Sequence, residues 1–197
     1  MTLTKRGIGT WRLSHSTQRA GLAGVSVEEG TLQVDSIMEV GEMCALGPAT
    51  NRYQIGYCGA ADSGKTVGYS IALGAEGVSS TPLSELVGTN GAWAANRGIA
   101  LFGDARMKNS ATNASGDALP MRLSGIAAGA AGTKTLFLEG ERVGGEDSVG
   151  GISDGEGKVA VVKTGNGTWS LAGTNTFTGG LIVSNGTLEV LSPSGSG

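Results

Sequence analysis

One phrase occurs twice in this chain, once near each end. Leu3-Thr4-Lys5-Arg6-Gly7-Ile8-Gly9-Thr10-Trp11-Arg12-Leu13 returns as Val161-Val162-Lys163-Thr164-Gly165-Asn166-Gly167-Thr168-Trp169-Ser170-Leu171, with Lys, Gly, Gly, Thr, Trp and Leu at matching places. Each copy is followed by an apolar strand and a closing Gly-Thr-Leu-x-Val, as Val25-Ser26-Val27-Glu28-Glu29-Gly30-Thr31-Leu32-Gln33-Val34 and as Leu181-Ile182-Val183-Ser184-Asn185-Gly186-Thr187-Leu188-Glu189-Val190. The run from Trp11 to Thr31 is slightly longer than that from Trp169 to Thr187, so the first copy carries a short insertion in its loop. A unit of this length cannot bury its own apolar face and must stack on neighbours to complete a core.

The phrases read as strands. Thr10-Trp11-Arg12-Leu13 and Thr168-Trp169-Ser170-Leu171 alternate polar and apolar residues, the period of a strand buried on one face. The closing phrases alternate in the same phase. Gly-Asn-Gly and Asn-Gly supply the positive-φ positions of tight turns between them. The 36 glycines in 197 residues do not follow a Gly-X-Y period, which excludes a collagen helix. Hydrophobic residues at 39% are enough to bury a core, and the scarcity of Phe, Tyr and Trp favours a thin one of small and β-branched side chains. Strand and turn without helical spacing predict an all-β solenoid of roughly eight coils, if each takes about 20–25 residues.

Lys163-Thr164-Gly165-Asn166-Gly167-Thr168-Trp169-Ser170-Leu171, followed by Asn175-Thr176-Phe177-Thr178-Gly179-Gly180 and Gly186-Thr187-Leu188-Glu189-Val190, resembles the autotransporter-associated β-strand repeat, the passenger-associated repeat of bacterial surface proteins. The resemblance covers residues 158–191 closely. It covers 3–34 more loosely, because Ser14-His15-Ser16-Thr17-Gln18-Arg19 stands where the second copy has its Asn-Thr-Phe-Thr-Gly stretch. The lead-in segments Thr135–Gly140 and Gly151–Gly155 are similar to what precedes such repeats. The resemblance implies a right-handed parallel β-helix, export, and a role in translocation, display or adhesion, with no catalytic site. It implies a place outside the bacterial cell or on its surface, within a longer exported chain.

The expected organisation is a single solenoid segment over residues 1–191 and a flexible linker tail over 192–197, Ser-Pro-Ser-Gly-Ser-Gly. Between the copies, Tyr53–Tyr57, Gly68–Leu73, Gly98–Phe102 and Met121–Leu123 read as strands, and 105–118 reads as a polar exposed loop. Their spacing over 41–134 also suits a β-sandwich, which antiparallel pairing would distinguish.

Several residues invite a chemical reading. Gly59-Ala60-Ala61-Asp62-Ser63-Gly64-Lys65-Thr66 satisfies the P-loop pattern. A P-loop needs a helix immediately after it to face the phosphates, and Val67-Gly68-Tyr69-Ser70-Ile71-Ala72-Leu73 alternates like a strand instead. A turn between strands is the expectation. His15 is the sole histidine, so multi-histidine metal sites are out of reach, and no Gly-x-Ser-x-Gly elbow is present to build a hydrolase. Glu139, Glu141, Glu146, Asp147 and Asp154 cluster in sequence, and paired carboxylates cleave glycosides or hold calcium. Acids on glycine-rich turns are usually just solvated, and that is the expectation for them. Trp11 and Trp169 share a face with Leu13 and Leu171, so both are expected in the core rather than as sugar-stacking platforms.

No catalytic, cofactor-binding or metal residue is therefore assigned, no cofactor is expected, and the chain is read as a non-enzymatic structural or adhesive segment. A carbohydrate-binding or carbohydrate-cleaving β-helix and a β-sandwich binding module are the alternatives. The formal charge of −3 gives no basic face for nucleic acid, and no apolar run reaches the about 20 residues that span a bilayer. The start of the chain lacks the apolar stretch of a signal peptide. Cys44 and Cys58 form either one disulfide or two free thiols. A surface glycan or protein, and self-association through the solenoid ends, are the partners such a segment would have.

Overall fold

A computed structural model describes residues 2–13, 24–34, 69–73, 84–88, 93–95, 98–110, 119–141 and 147–191. Every regular element among them is a strand. The first copy of the repeated phrase supplies β1 (Thr2–Lys5), β2 (Thr10–Leu13), β3 (Gly24–Val27) and β4 (Thr31–Val34). The middle supplies β5 (Tyr69–Leu73), β6 (Ser84–Gly88), β7 (Trp93–Ala95), β8 (Gly98–Leu101), β9 (Ala105–Asn109) and β10 (Met121–Ala128). Then follow β11 (Thr133–Gly140), β12 (Asp147–Ser153), β13 (Lys158–Lys163), β14 (Thr168–Ala172), β15 (Leu181–Val183) and β16 (Thr187–Val190).

The chain shuttles between two sheets. One is nine-stranded, with the path β1-β3-β5-β8-β10-β12-β14-β16 and β7 alongside β10; the other is seven-stranded, β15-β13-β11-β9-β6-β4-β2. Every strand pair is parallel. The protein is an all-β parallel solenoid. Each coil crosses the core and returns, so odd strands lie in the nine-stranded sheet up to β7 and even strands from β8 on, β7 and β8 following one another in that sheet. The antiparallel pairing that would mark a β-sandwich is missing from the described part of 41–134, where β5 to β10 join the same stack.

The core lies between the sheets and is built by period-2 alternation. Leu32 and Val34 on β4, Leu136 and Leu138 on β11, Val159 and Val161 on β13, and Trp169 and Leu171 on β14 point inward and form one continuous cluster with Val25, Val27, Ile99 and Leu101. Neighbouring strands bury like residues in register, as in Leu136 beside Val161 and Ile126 beside Ile152. A ladder of this kind satisfies the backbone and buries small apolar side chains without needing a thick aromatic core.

One expectation fails. Residues 105–109 are not an exposed loop but strand β9, with Ala105, Met107 and Asn109 buried and Arg106 and Lys108 outside. The two cations occupy its outer face, where Glu139 of β11 pairs with both, at 3.1 Å from Arg106 and 2.9 Å from Lys108.

Candidate functional site

The repeated phrase explains itself once its two coils are laid on each other. In the first copy Leu3 and Lys5 pair with Val25 and Val27, and Trp11 and Leu13 pair with Leu32 and Val34. In the second, Val161 and Lys163 pair with Leu181 and Val183, and Trp169 and Leu171 pair with Leu188 and Val190. The opening and closing halves of each copy are thus consecutive coils in direct contact. That is why Thr-Trp-x-Leu and Thr-Leu-x-Val share a phase. The copies differ in direction: the tight turn leaves the nine-stranded sheet in the first copy and enters it in the second.

At the turn, each copy places a lysine inside. Lys5 and Lys163 are fully buried. Lys163 Nζ donates to the carbonyls of Thr164 at 2.5 Å and Gly165 at 2.8 Å on its own turn, and to Asn185 at 3.2 Å on the next. Lys5 Nζ does the same with Arg6 at 3.2 Å, with Gly7, and with Glu29 of the next turn at 3.0 Å. One ammonium with three donors therefore pins two stacked turns through their carbonyls. Burial lowers both ammonium pKa values; Glu29 offsets this at Lys5, and Glu141 and Glu139 offset it at Lys163.

The glycines let the turns lie this close. Gly165 and Gly186 hold φ of 70° and 73°, Gly7 and Gly30 of 77° and 69°, a left-handed region costly to other residues. A side chain on Gly30 would overlap the Gly7 and Gly9 carbonyl oxygens, and one on Gly186 those of Gly165 and Gly167. Beside the second clamp, Asn185 Nδ2 donates to Asn166 Oδ1 at 3.0 Å and Asn166 Nδ2 to Glu141 Oε2 at 3.1 Å, one polar side chain per turn.

The two tryptophans part company. Trp169 is fully buried, as the alternation requires. Trp11 keeps the inward phase of its partner Leu32 but is 42% exposed, because β2 is the outermost strand of its sheet among the described residues. Its ring lies 5.8 Å from Lys5 Nζ. The expectation of a buried Trp11 is corrected on that ground.

The acidic residues are engaged in stitching. Asp154 accepts from the Val159 amide at 3.0 Å within its own coil, and from the Thr178 amide at 2.9 Å and hydroxyl at 2.5 Å in the next. These bonds, the Thr178 hydroxyl foremost, hold its carboxyl below the usual carboxylate range. Asp147 is buried, and its Oδ1 accepts from Asn109 Nδ2 at 2.6 Å and the Met121 amide at 2.9 Å. Glu139 pairs with Arg106 and Lys108, and Glu141 takes the Asn166 amide. The sequence cluster is therefore dispersed between the core, the outer sheet face and the turns. Among the described residues no group of three or more His, Cys, Asp or Glu is placed to hold a metal, and no helix is long and apolar enough to cross a membrane. Glu146, the P-loop-like segment 59–66, His15, Cys44, Cys58 and the tail 192–197 lie outside the described residues.

Residues 3–34 and 161–190 match the sequence model of the passenger-associated-transport-repeat family. The chain carries this repeat twice. Over 58 residues, 29% of the chain, it is 40% identical to the adhesin BmaC autotransporter of Brucella suis biovar 1 (strain 1330). That segment amounts to 2% of the adhesin's length. No solved structure matches the chain. The bounds of both repeats coincide with the two-coil units that the lysines clamp. The inward lysine was the residue missed by reading the sequence. Its signal was present, since Lys163 falls in step with Val159 and Val161 and recurs as Lys5.

Proposed function

We propose that this chain is a structural or adhesive segment of a secreted, surface-displayed bacterial repeat protein, a stiff stalk that carries loops and performs no catalysis. The observation that carries this reading is the clamp. The recurring lysines and glycines of the matched repeats bind coil to coil. Parallel strands joined through stacked turns resist extension across the strands while leaving the connections between them free to vary in length. A surface glycan or protein met by those connections is the partner such a stalk presents. The outermost strands among the described residues, β1, β2, β15 and β16, offer backbone edges on which further coils, or another copy, stack.

The reading is tested on the parent protein in its native host. Antibodies raised against this chain should label intact cells, and external protease should remove the label. Labelling only after the cells are permeabilised would overturn it.

A further inference from the structure

Gly140 closes the inward series Leu136, Leu138, Gly140 on β11. Across the core the Trp169 indole reaches toward it from β14. A methyl carbon on Gly140 would lie 3.5 Å from Trp169 Nε1, 3.7 Å from the Asn109 carbonyl oxygen and 3.8 Å from Asp147 Oδ2. The three nearest atoms are all polar, and none is closer than ordinary van der Waals contact. The place where a side chain would start at Gly140 is thus unfilled, and it faces one donor and two acceptors. Four strands wall it, because Asn109 of β9 stands in register with Gly140 and Asp147 of β12 with Trp169.

Trp169 Nε1 is buried and reaches no acceptor among the described residues. An indole N–H can only donate, and a buried donor without an acceptor is costly. The atoms around the gap comprise that one donor and two acceptor oxygens. A cation would face the indole proton, and an anion would face the carboxylate and the carbonyl. A neutral molecule of one heavy atom that accepts once and donates twice fits all three. Buried waters characteristically make about three such bonds.

We propose that Gly140, Trp169, Asn109 and Asp147 enclose a binding site for a single structural water. It accepts from Trp169 Nε1 and donates to the Asn109 carbonyl and to Asp147 Oδ2. Gly140 is the residue that leaves room for it.

The experiment uses the chain with Trp11→Phe and Trp93→Phe, so that Trp169 is the one indole observed. Ultraviolet resonance Raman should show a hydrogen-bonded indole N–H, and a crystal structure should show water density at the gap. Gly140→Ala displaces the water, so the indole signal should move to the unbonded position and the melting temperature should fall. An unbonded indole in the parent, or a melting temperature that rises with Gly140→Ala as an empty hole is filled, would overturn the proposal. So would a bonded indole with no density in the gap, which would mean a direct bond to protein. If Gly140→Ala does not fold, the parent spectrum and density still decide.

Discussion

Lys163 Nζ lies 3.2 Å from the Asn185 carbonyl oxygen of the adjacent turn while bonding the Thr164 and Gly165 carbonyls of its own. A charge is seldom taken wholly out of water unless its hydrogen bonds are replaced. Here three carbonyls replace them, and two successive coils are tied by one side chain.

Lys163→Met keeps most of the stem and removes the ammonium, leaving three carbonyls facing an apolar atom. Stability should fall by about 1–3 kcal/mol, the cost of buried polar groups losing their partner. Urea unfolding midpoints check this. Lys5→Met should act alike, because its Nζ binds the same set of turn carbonyls. A midpoint unchanged in both variants would show that the clamp contributes nothing.

Glycines of the same turns should differ sharply. Gly186 has φ 73°, and a side chain there would overlap the carbonyls beneath. Gly186→Ala should lose more than about 3 kcal/mol by adding that overlap to left-handed strain. Gly9 has nothing within 4 Å of its added carbon, so Gly9→Ala should change stability by no more than about 0.5 kcal/mol. Thermal melts of the two variants, run side by side, are sufficient.

The strands were legible because alternation is a local property. Thr168-Trp169-Ser170-Leu171 declares a buried face whatever surrounds it. Thr187-Leu188-Glu189-Val190 shares its phase, yet that the two phrases stack in adjacent coils shows only in the register of β14 with β16. What depends on neighbours was not legible. Trp11 has the pattern of Trp169 and a different exposure, because on an outermost strand its large ring is covered from one side, while the smaller Leu13 of the same strand stays buried. Residues 105–109 were hidden by composition: Arg106 and Lys108 look like loop until Glu139, far along the chain, is placed beside them. Lys163 was concealed by the habit of lysine to face water. The opposite directions of the two repeats follow from the coils between them, which no phrase encodes.

Asp154 should give the solenoid an acid limb. Its folded pKa is lowered, chiefly by the Thr178 hydroxyl and then by the Val159 and Thr178 amides. The ionised form is thus favoured by folding. Its contribution is complete above the unfolded value, about 3.9, and disappears as pH falls through the lower folded value. Melting temperature should drop across that acid window in the parent. In Asp154→Asn it should start lower near neutrality and fall less steeply in acid. Parallel slopes for the two proteins would show that Asp154 does not sense pH through these bonds.

The tryptophans supply the last test, because equal places in the repeat carry unequal burial. Trp169 is enclosed by strands on both sides, pairing with Asp147 and Leu188, and its ring reaches across the core toward Gly140. Trp169→Ala opens a large cavity, and loss of a buried Trp costs about 3–5 kcal/mol. Trp11 is covered on one side by the coil of Leu32 and stands 42% exposed. Its ring adds a cation–π contact to Lys5, worth about 0.5–1 kcal/mol where water has access. Trp11→Ala should therefore cost about 1–2 kcal/mol, an ordinary value for a part-exposed site. Phenylalanine should rescue Trp11 better than Trp169, since a smaller ring retains the one-sided packing but not the span across the core. Denaturant melts of the four variants give the order directly. If Trp11→Ala proved as damaging as Trp169→Ala, further packing would have to cover Trp11 in solution. If Trp11→Ala left the melt unchanged while removing affinity for a glycan, the exposed ring would be a sugar platform and not a half-covered core residue.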